Sequence, residues 1–176
     1  IWAFALWDGR TQDLHLSRDR FGVQPLYLAQ PGGRLAFASE IKALLSLDWV
    51  SSDPEPGAIR AFLEDGLTDH TDAPFFAAIR RMPAATTLTI SRSGMRQTRY
   101  WAPQRLSTDA SIDPSPEDQR SVEAFRALLI DAVALQLRAD VPLGSCLSGG
   151  IDSSSIVGVA SGLRTGALSA SGTQRK

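Results

Sequence analysis

A chain of 176 residues with 43% hydrophobic content can hold one ordinary globular domain or pieces of two. Its 18 Lys plus Arg stand against 19 Asp plus Glu, a formal net charge of -1 with no long run of one sign, which argues against nucleic acid or an anionic membrane as partner. The longest apolar stretches, such as Trp2 to Trp7, fall far short of the ~20 residues of a membrane helix, and the single cysteine, Cys146, cannot form an internal disulfide, so the chain reads as cytoplasmic.

The first residue, Ile1, already lies inside what reads as a strand, so further sequence is expected upstream. Trp2-Ala3-Phe4-Ala5-Leu6-Trp7, the Asp8-Gly9 turn and the alternating Leu14-His15-Leu16 predict an antiparallel hairpin. Its Trp2, Phe4 and Leu6 stripe is expected to form sheet core, and His15 to be a sheet-face residue rather than a base or metal ligand. A second hairpin is predicted where Leu26–Ala29 and Leu35–Ala38 flank Pro31-Gly32-Gly33. Ser39 can cap a short helix over Glu40–Leu45, and another helix is predicted from Pro56 to Glu64, stopped by Gly66. His70, in the polar run Thr68-Asp69-His70-Thr71-Asp72, reads as a solvated loop residue. Thr86–Ile90 and Gln97–Trp101 around Ser93-Gly94 predict a third hairpin. Residues 1–102 therefore read as mainly antiparallel sheet with helices on it.

From Pro103 to Pro116 the apolar pattern stops and Ser, Thr, Asp and Pro dominate, which marks 103–116 as an interdomain linker. Ser115 can cap a helix with Pro116 at its first position and Glu117 and Asp118 in its first turn, where the helix dipole favours negative charge. Val122, Phe125, Leu129, Ala132 and Val133 recur at helical spacing, so this helix should lay one apolar stripe on a partner sheet and end near Ala139, before Pro142. Leu143–Leu147 is expected to supply the first strand of that sheet, with Cys146 as a small core residue. A Gly-Gly turn and a helix over about Asp152–Leu163 follow, so 117–164 has the order of an α/β domain; 165–176 looks like a frayed tail.

Ser148-Gly149-Gly150-Ile151-Asp152-Ser153-Ser154 thus joins a predicted strand to a helix start, where backbone N–H groups and the helix dipole favour an anion. The glycines let the backbone approach a phosphate and take positive φ, and the serines offer hydroxyl donors. No lysine follows the glycines, so this is not the GxxxxGK[ST] loop of γ-phosphate transfer.

Ser148 to Ser153 resembles the SGGxDS motif of the ATP pyrophosphatases, the PP-loop enzymes. With Asp140-Val141-Pro142-Leu143-Gly144-Ser145-Cys146-Leu147 before it, the segment is similar to the DVPxGxxLSGGxDS signature of asparagine synthetases. Arg18-Asp19-Arg20-Phe21-Gly22-Val23-Gln24-Pro25-Leu26-Tyr27 and Phe37-Ala38-Ser39-Glu40-Ile41-Lys42-Ala43-Leu44 resemble the RDRxGxKPLYY and FASExKAL stretches of that family's class-II glutaminase domain. The resemblance covers roughly residues 1–163. It implies the C-terminal part of an N-terminal-nucleophile-type glutaminase sandwich followed by the start of a parallel α/β PP-loop domain. It also implies glutamine, aspartate and ATP as substrates, Mg²⁺ as cofactor, β-aspartyl-AMP formation with pyrophosphate release, amidation by ammonia from glutamine, and a homodimer when complete. By the same resemblance Leu147 would line the nucleotide site, Ser148, Gly149 and Gly150 would wrap pyrophosphate, Asp152 would order the loop or metal, and Ser153 would donate to phosphate.

The chain also departs from the family pattern. Gln24 stands where the pattern has lysine, and Arg81-Met82-Pro83-Ala84-Ala85-Thr86 differs from the LPPGH-like segment, which leaves open a related amidotransferase or a lactam-forming ligase acting on another carboxylate. The family's glutaminase nucleophile, an N-terminal cysteine, has no counterpart here, so this chain alone is expected to be an inactive fragment. Arg18, Asp19 and Arg20 read as a salt-bridge cluster that shapes a turn or a domain contact rather than as catalytic groups.

Overall fold

The computed structural model describes residues 1–104 and 116–170. Two compact units divide the chain, Ile1–Leu106 and Ser107–Lys176. In the first, β1 (Ala3–Asp8) and β2 (Asp13–Arg18) form the predicted hairpin. β3 (Tyr27–Ala29) and β4 (Ala36–Ala38) form the second, across a single 3₁₀ turn at Pro31–Gly33. The helices α1 (Ile41–Leu45) and α2 (Pro56–Asp65) follow, then β5 (Ile79–Arg81), β6 (Thr86–Ser91) and β7 (Gly94–Arg99). Every strand pairing is antiparallel, giving one sheet in the order β1-β2-β6-β7 and another in the order β4-β3-β5. Antiparallel sheets with helices make this an α+β unit.

The register decides which residues are covered. Ala5 and Trp7 pair with Leu16 and Leu14, which pair in turn with Leu88 and Ile90, so these residues share one face. On that face Leu16 and Leu88 join Leu26 and Met82 in the first core, with Ala3, Leu14 and Ile90 packed against them. Phe4 and Leu6 pair with Ser17 and His15 and so lie on the opposite face, 46% and 56% exposed. The expected Trp2-Phe4-Leu6 core stripe is therefore corrected: the alternation is real, but Phe4 and Leu6 point away from the core, and Ala5 and Trp7 share its face. The second core, Ala29, Leu44, Val50 and Ile79, lies between the three-stranded sheet and α1.

Helix ends follow local chemistry. Glu40, held in extended backbone just after the β4 pairing ends, is the N-cap of α1 and makes no side-chain cap bond, so the expected Ser39 cap is not formed. At α2 the Glu55 side chain accepts from the Gly57 N–H, and Gly66 closes the C-terminus in the left-handed region, as expected.

The second unit contains α3 (Pro116–Gln136) and α4 (Ile151–Thr165). The expected cap Ser115 and most of the expected linker, 105–115, lie outside the described residues. α3 ends earlier than Ala139 and packs on α4 through its C-terminal half, where Ile130 and Val133 are buried; Val122 and Phe125 are 62% and 66% exposed. Among the described residues this unit has no strand: Leu143–Leu147 is irregular, and the sheet expected under α3 is not formed. A strand has no stability of its own, because its N–H and C=O groups need a neighbouring strand, and no described segment of this unit provides one. Cys146 is consequently exposed rather than a core residue. No described helix is long and apolar enough to cross a membrane.

Candidate functional site

The Leu147–Ser153 segment arrives at α4 through a local turn that its glycines permit. Gly149 has φ of +82°, a conformation that costs an L side chain about 1–2 kcal/mol, and Gly150 is the extended N-cap residue. The first helical bond runs from the Ser154 N–H to the Gly150 carbonyl at 3.1 Å, and no side chain caps the helix. The N–H groups of the first turn therefore point out of the helix end without an intrahelical acceptor. A Cβ placed on Gly149 would meet nothing within 4 Å, so the approach to this backbone is open. Ser148 Oγ and Ser153 Oγ lie 3.1 Å apart, and Ser153 Oγ donates to the Gly150 carbonyl at 3.2 Å. Both hydroxyls must rotate to serve an outside acceptor.

Asp152 sits in the first turn of α4. The loop thus gathers Ser148, Gly149, Gly150, Asp152 and Ser153 at one helix N-terminus, an arrangement suited to an oxyanion. Leu147 is 62% exposed. A groove of about 710 Å³ in this unit, lined by Leu137, Leu143, Val157, Ala160 and Arg164 among others, includes none of the residues from Leu147 to Ser153. Among the described residues no cluster of three or more His, Cys, Asp or Glu is arranged to hold a metal; Asp152 is the carboxylate nearest in sequence to the helix end.

The Arg18–Asp19 turn forms the second polar centre. Asp19 is 3% exposed, and its carboxylate accepts from the backbone N–H groups of Phe21, Val23 and Gln24 at 3.0–3.1 Å and of Trp2 at 3.4 Å. Burial pushes this carboxyl up, but the four N–H groups together hold it below the usual carboxylate range. Arg18 donates to the carbonyls of Gln24, Met82 and Gly22 at 2.7, 2.5 and 2.5 Å. The motif does shape a turn, yet through backbone hydrogen bonds rather than the expected salt bridges. Gly22, at φ of +64°, is required there, because a Cβ would lie 3.0 Å from the Arg18 guanidinium. Tyr100 joins the same centre by donating its hydroxyl to the Arg18 carbonyl at 2.7 Å and stacking on Trp2.

His15 is a sheet-face residue, sharing a 3.1 Å hydrogen bond with Thr89, and His70 is exposed. Sequence reasoning missed the Arg81–Asp69 ion pair, at 2.5 Å. No spacing rule links residues on a strand and a distant loop, and the Arg81 segment stood out only as a departure from the LPPGH-like pattern. In that segment Ala85, where the pattern has glycine, is held at φ of +54°.

A family model described as a glutamine amidotransferase domain matches residues 1–101, more than half of the chain. One described as asparagine synthase matches residues 124–172. The chain belongs to the asparagine synthetase family. It is 34% identical over 162 residues to asparagine synthetase [glutamine-hydrolyzing] 3 of Bacillus subtilis, an alignment covering 92% of this chain and 25% of that protein. It is 36% identical over 165 residues to a putative asparagine synthetase [glutamine-hydrolyzing] of Mycobacterium tuberculosis, covering 91% and 25%. Amidase chyE of Penicillium rubens is 37% identical over 166 residues, covering 92% and 23%. The chain therefore spans about a quarter of the length of the curated relatives it matches.

Proposed function

We propose that this chain is part of an ATP-dependent, glutamine-hydrolysing asparagine synthetase, with residues 1–102 from the glutaminase domain, 103–116 a linker and 117–164 the opening of a PP-loop domain. The observation that carries the reading is the open, uncapped backbone at Gly149 and Gly150, which stands at a helix N-terminus within the segment matched to asparagine synthase. In this reading a β-carboxylate oxygen of aspartate attacks the α-phosphorus of ATP, and the bond to the β-phosphate oxygen breaks to release pyrophosphate. Ammonia from glutamine then attacks the acyl carbon and AMP leaves. The α4 N–H groups, Gly149 and Gly150 receive the pyrophosphate charge, with Ser148 and Ser153 rotated toward it and Leu147 beside the nucleotide. In this reading Asp152 would order the loop or hold Mg²⁺, which would supply Lewis-acid neutralisation of the phosphates.

The exposed Phe4 and Leu6 face supports a glutaminase sandwich, since a second sheet laid over it would bury both side chains. Cytoplasmic location, the parallel sheet of the PP-loop domain and a homodimer of the complete protein belong to the same proposal. The deciding experiment measures AMP and pyrophosphate release by the complete protein. Release that depends on both aspartate and an ammonia source is expected, and nucleotide turnover without aspartate dependence would refute the reading. A second reading, amidation of another carboxylate, is favoured by the likeness to the Penicillium amidase and by Gln24 at the pattern's lysine. A panel of carboxylic acids in the same assay separates the two.

A further inference from the structure

The first unit holds a polar cleft of about 320 Å³ that the nucleotide loop does not account for. Its walls are the Arg18–Gly22 turn, Arg81 at the end of β5, and the loop from Asp69 to Asp72. Arg81 is the key to it. Its side chain is 11% exposed, and it gives Nη2 to one carboxylate oxygen of Asp69 at 2.5 Å and Nη1 to the Asp69 carbonyl at 3.2 Å. Its Nε is buried with no hydrogen-bond partner. A buried donor left in that state is destabilising until it finds an acceptor.

Two further observations concern the groups around that donor. Asp69, which holds the Arg81 fork with one carboxylate oxygen and its carbonyl, has a 69% exposed side chain and a backbone φ of +60°, a conformation that non-glycine residues seldom take. The carboxylate holding Arg81 is thus at the surface and on a strained backbone. Arg18 faces the same cleft, and the two guanidinium groups stand close enough that burial first, and the Arg81 charge second, lower the Arg18 pKa.

We propose that this cleft binds the common end of a free α-amino acid. Its carboxylate displaces Asp69 and takes Arg81 side-on through Nε and Nη2, and its ammonium is received by the carboxylates of Asp69 and Asp72. A side-on carboxylate keeps a charge-assisted bond at Nη2 and gives the buried Nε the acceptor that the Asp69 contact does not supply. Charge selects the class of ligand. Arg18 and Arg81 are balanced by Asp69 and Asp72, so the lining is formally neutral and complements a zwitterion rather than a phosphate. The site does not rest on the assignment of the nucleotide loop.

The probe is glycine, the smallest α-amino acid, titrated into the chain while backbone amide NMR shifts are followed. Acetate lacks the ammonium and glycine methyl ester lacks the carboxylate. Glycine is expected to give saturable shifts at residues 18–22, 69–72 and 81 at concentrations below about 10 mM, with both analogues at least about tenfold weaker. Arg81→Lys, which keeps the charge but loses the side-on pair, should abolish saturation. Asp72→Asn, at an exposed position, should weaken glycine severalfold and leave acetate unchanged. Equal affinity for all three probes, unaltered glycine binding in both variants, or no saturable shift at these residues would each overturn the proposal.

Discussion

Asp19 shows how one carboxylate can hold a turn together. Its four backbone donors keep the carboxyl below its ordinary range, so its contribution to stability is present above the unfolded-state pKa of about 3.9 and is lost as pH falls through the folded value. Asp19→Asn should therefore destabilise the first unit by roughly 1–3 kcal/mol near neutral pH and flatten the decline in its thermal midpoint below about pH 4. An unchanged acid limb in the variant would show that other carboxyls set it. Ala85 makes the opposite case. Held at φ of +54°, it carries a left-handed cost of about 1–2 kcal/mol that glycine would not, against an unfolded-state entropy penalty of about 0.5–1 kcal/mol for glycine. Ala85→Gly should leave stability unchanged or raise it by about 1 kcal/mol, read from chemical denaturation midpoints. Gly149 takes the same left-handed conformation, in the loop that the proposed function assigns to pyrophosphate. In the complete protein Gly149→Val should abolish ATP-dependent amide formation while glutamine hydrolysis persists at least in part, and normal synthesis would remove the basis for the loop assignment.

At the scale of elements, what could be read in advance is what depends on neighbours in the chain. The three hairpins were legible because alternation, Asp8-Gly9, Pro31-Gly32-Gly33 and Ser93-Gly94 are local signals; α4 was legible from its glycine turn. β5 was missed because its three residues, two of them arginine, are too few to alternate visibly. The face of β1 was misassigned for a different reason: period two tells which residues share a face, and only the register with Leu14 and Leu16 tells which face is covered. The strand at Leu143–Leu147 depends on partners that no described residue supplies. The Ser148–Ser153 loop stands out through its motif, but the pairing of Ser148 with Ser153 does not, since rotamers are set by the folded turn. Burial along α3 also gives a test. Val133→Ala, at an 8% exposed site, should cost at least about 1 kcal/mol more than Val122→Ala, measured by helical circular dichroism during denaturation. In limited proteolysis of the complete protein, the 103–116 segment is expected to be cut before the flanking helix α3, given its prolines and lack of apolar periodicity.

At the scale of the whole molecule, the two sheet margins differ in kind. β7 carries Arg96, Gln97, Thr98 and Arg99 with every residue exposed, whereas β1 presents Phe4 and Leu6 at its own margin. Leu6→Lys should accordingly lower concentration-dependent light scattering of the chain, while Gln97→Lys should leave it unchanged. Margins of this kind give the sheet a direction of growth. A chain end or partner that contributes another strand is steered to β1 by the apolar surface it can cover, while the charged, solvated fringe of β7 acts as a terminus. Splitting or grafting this scaffold should therefore succeed when the added segment enters beside β1 and fail when it is offered to β7.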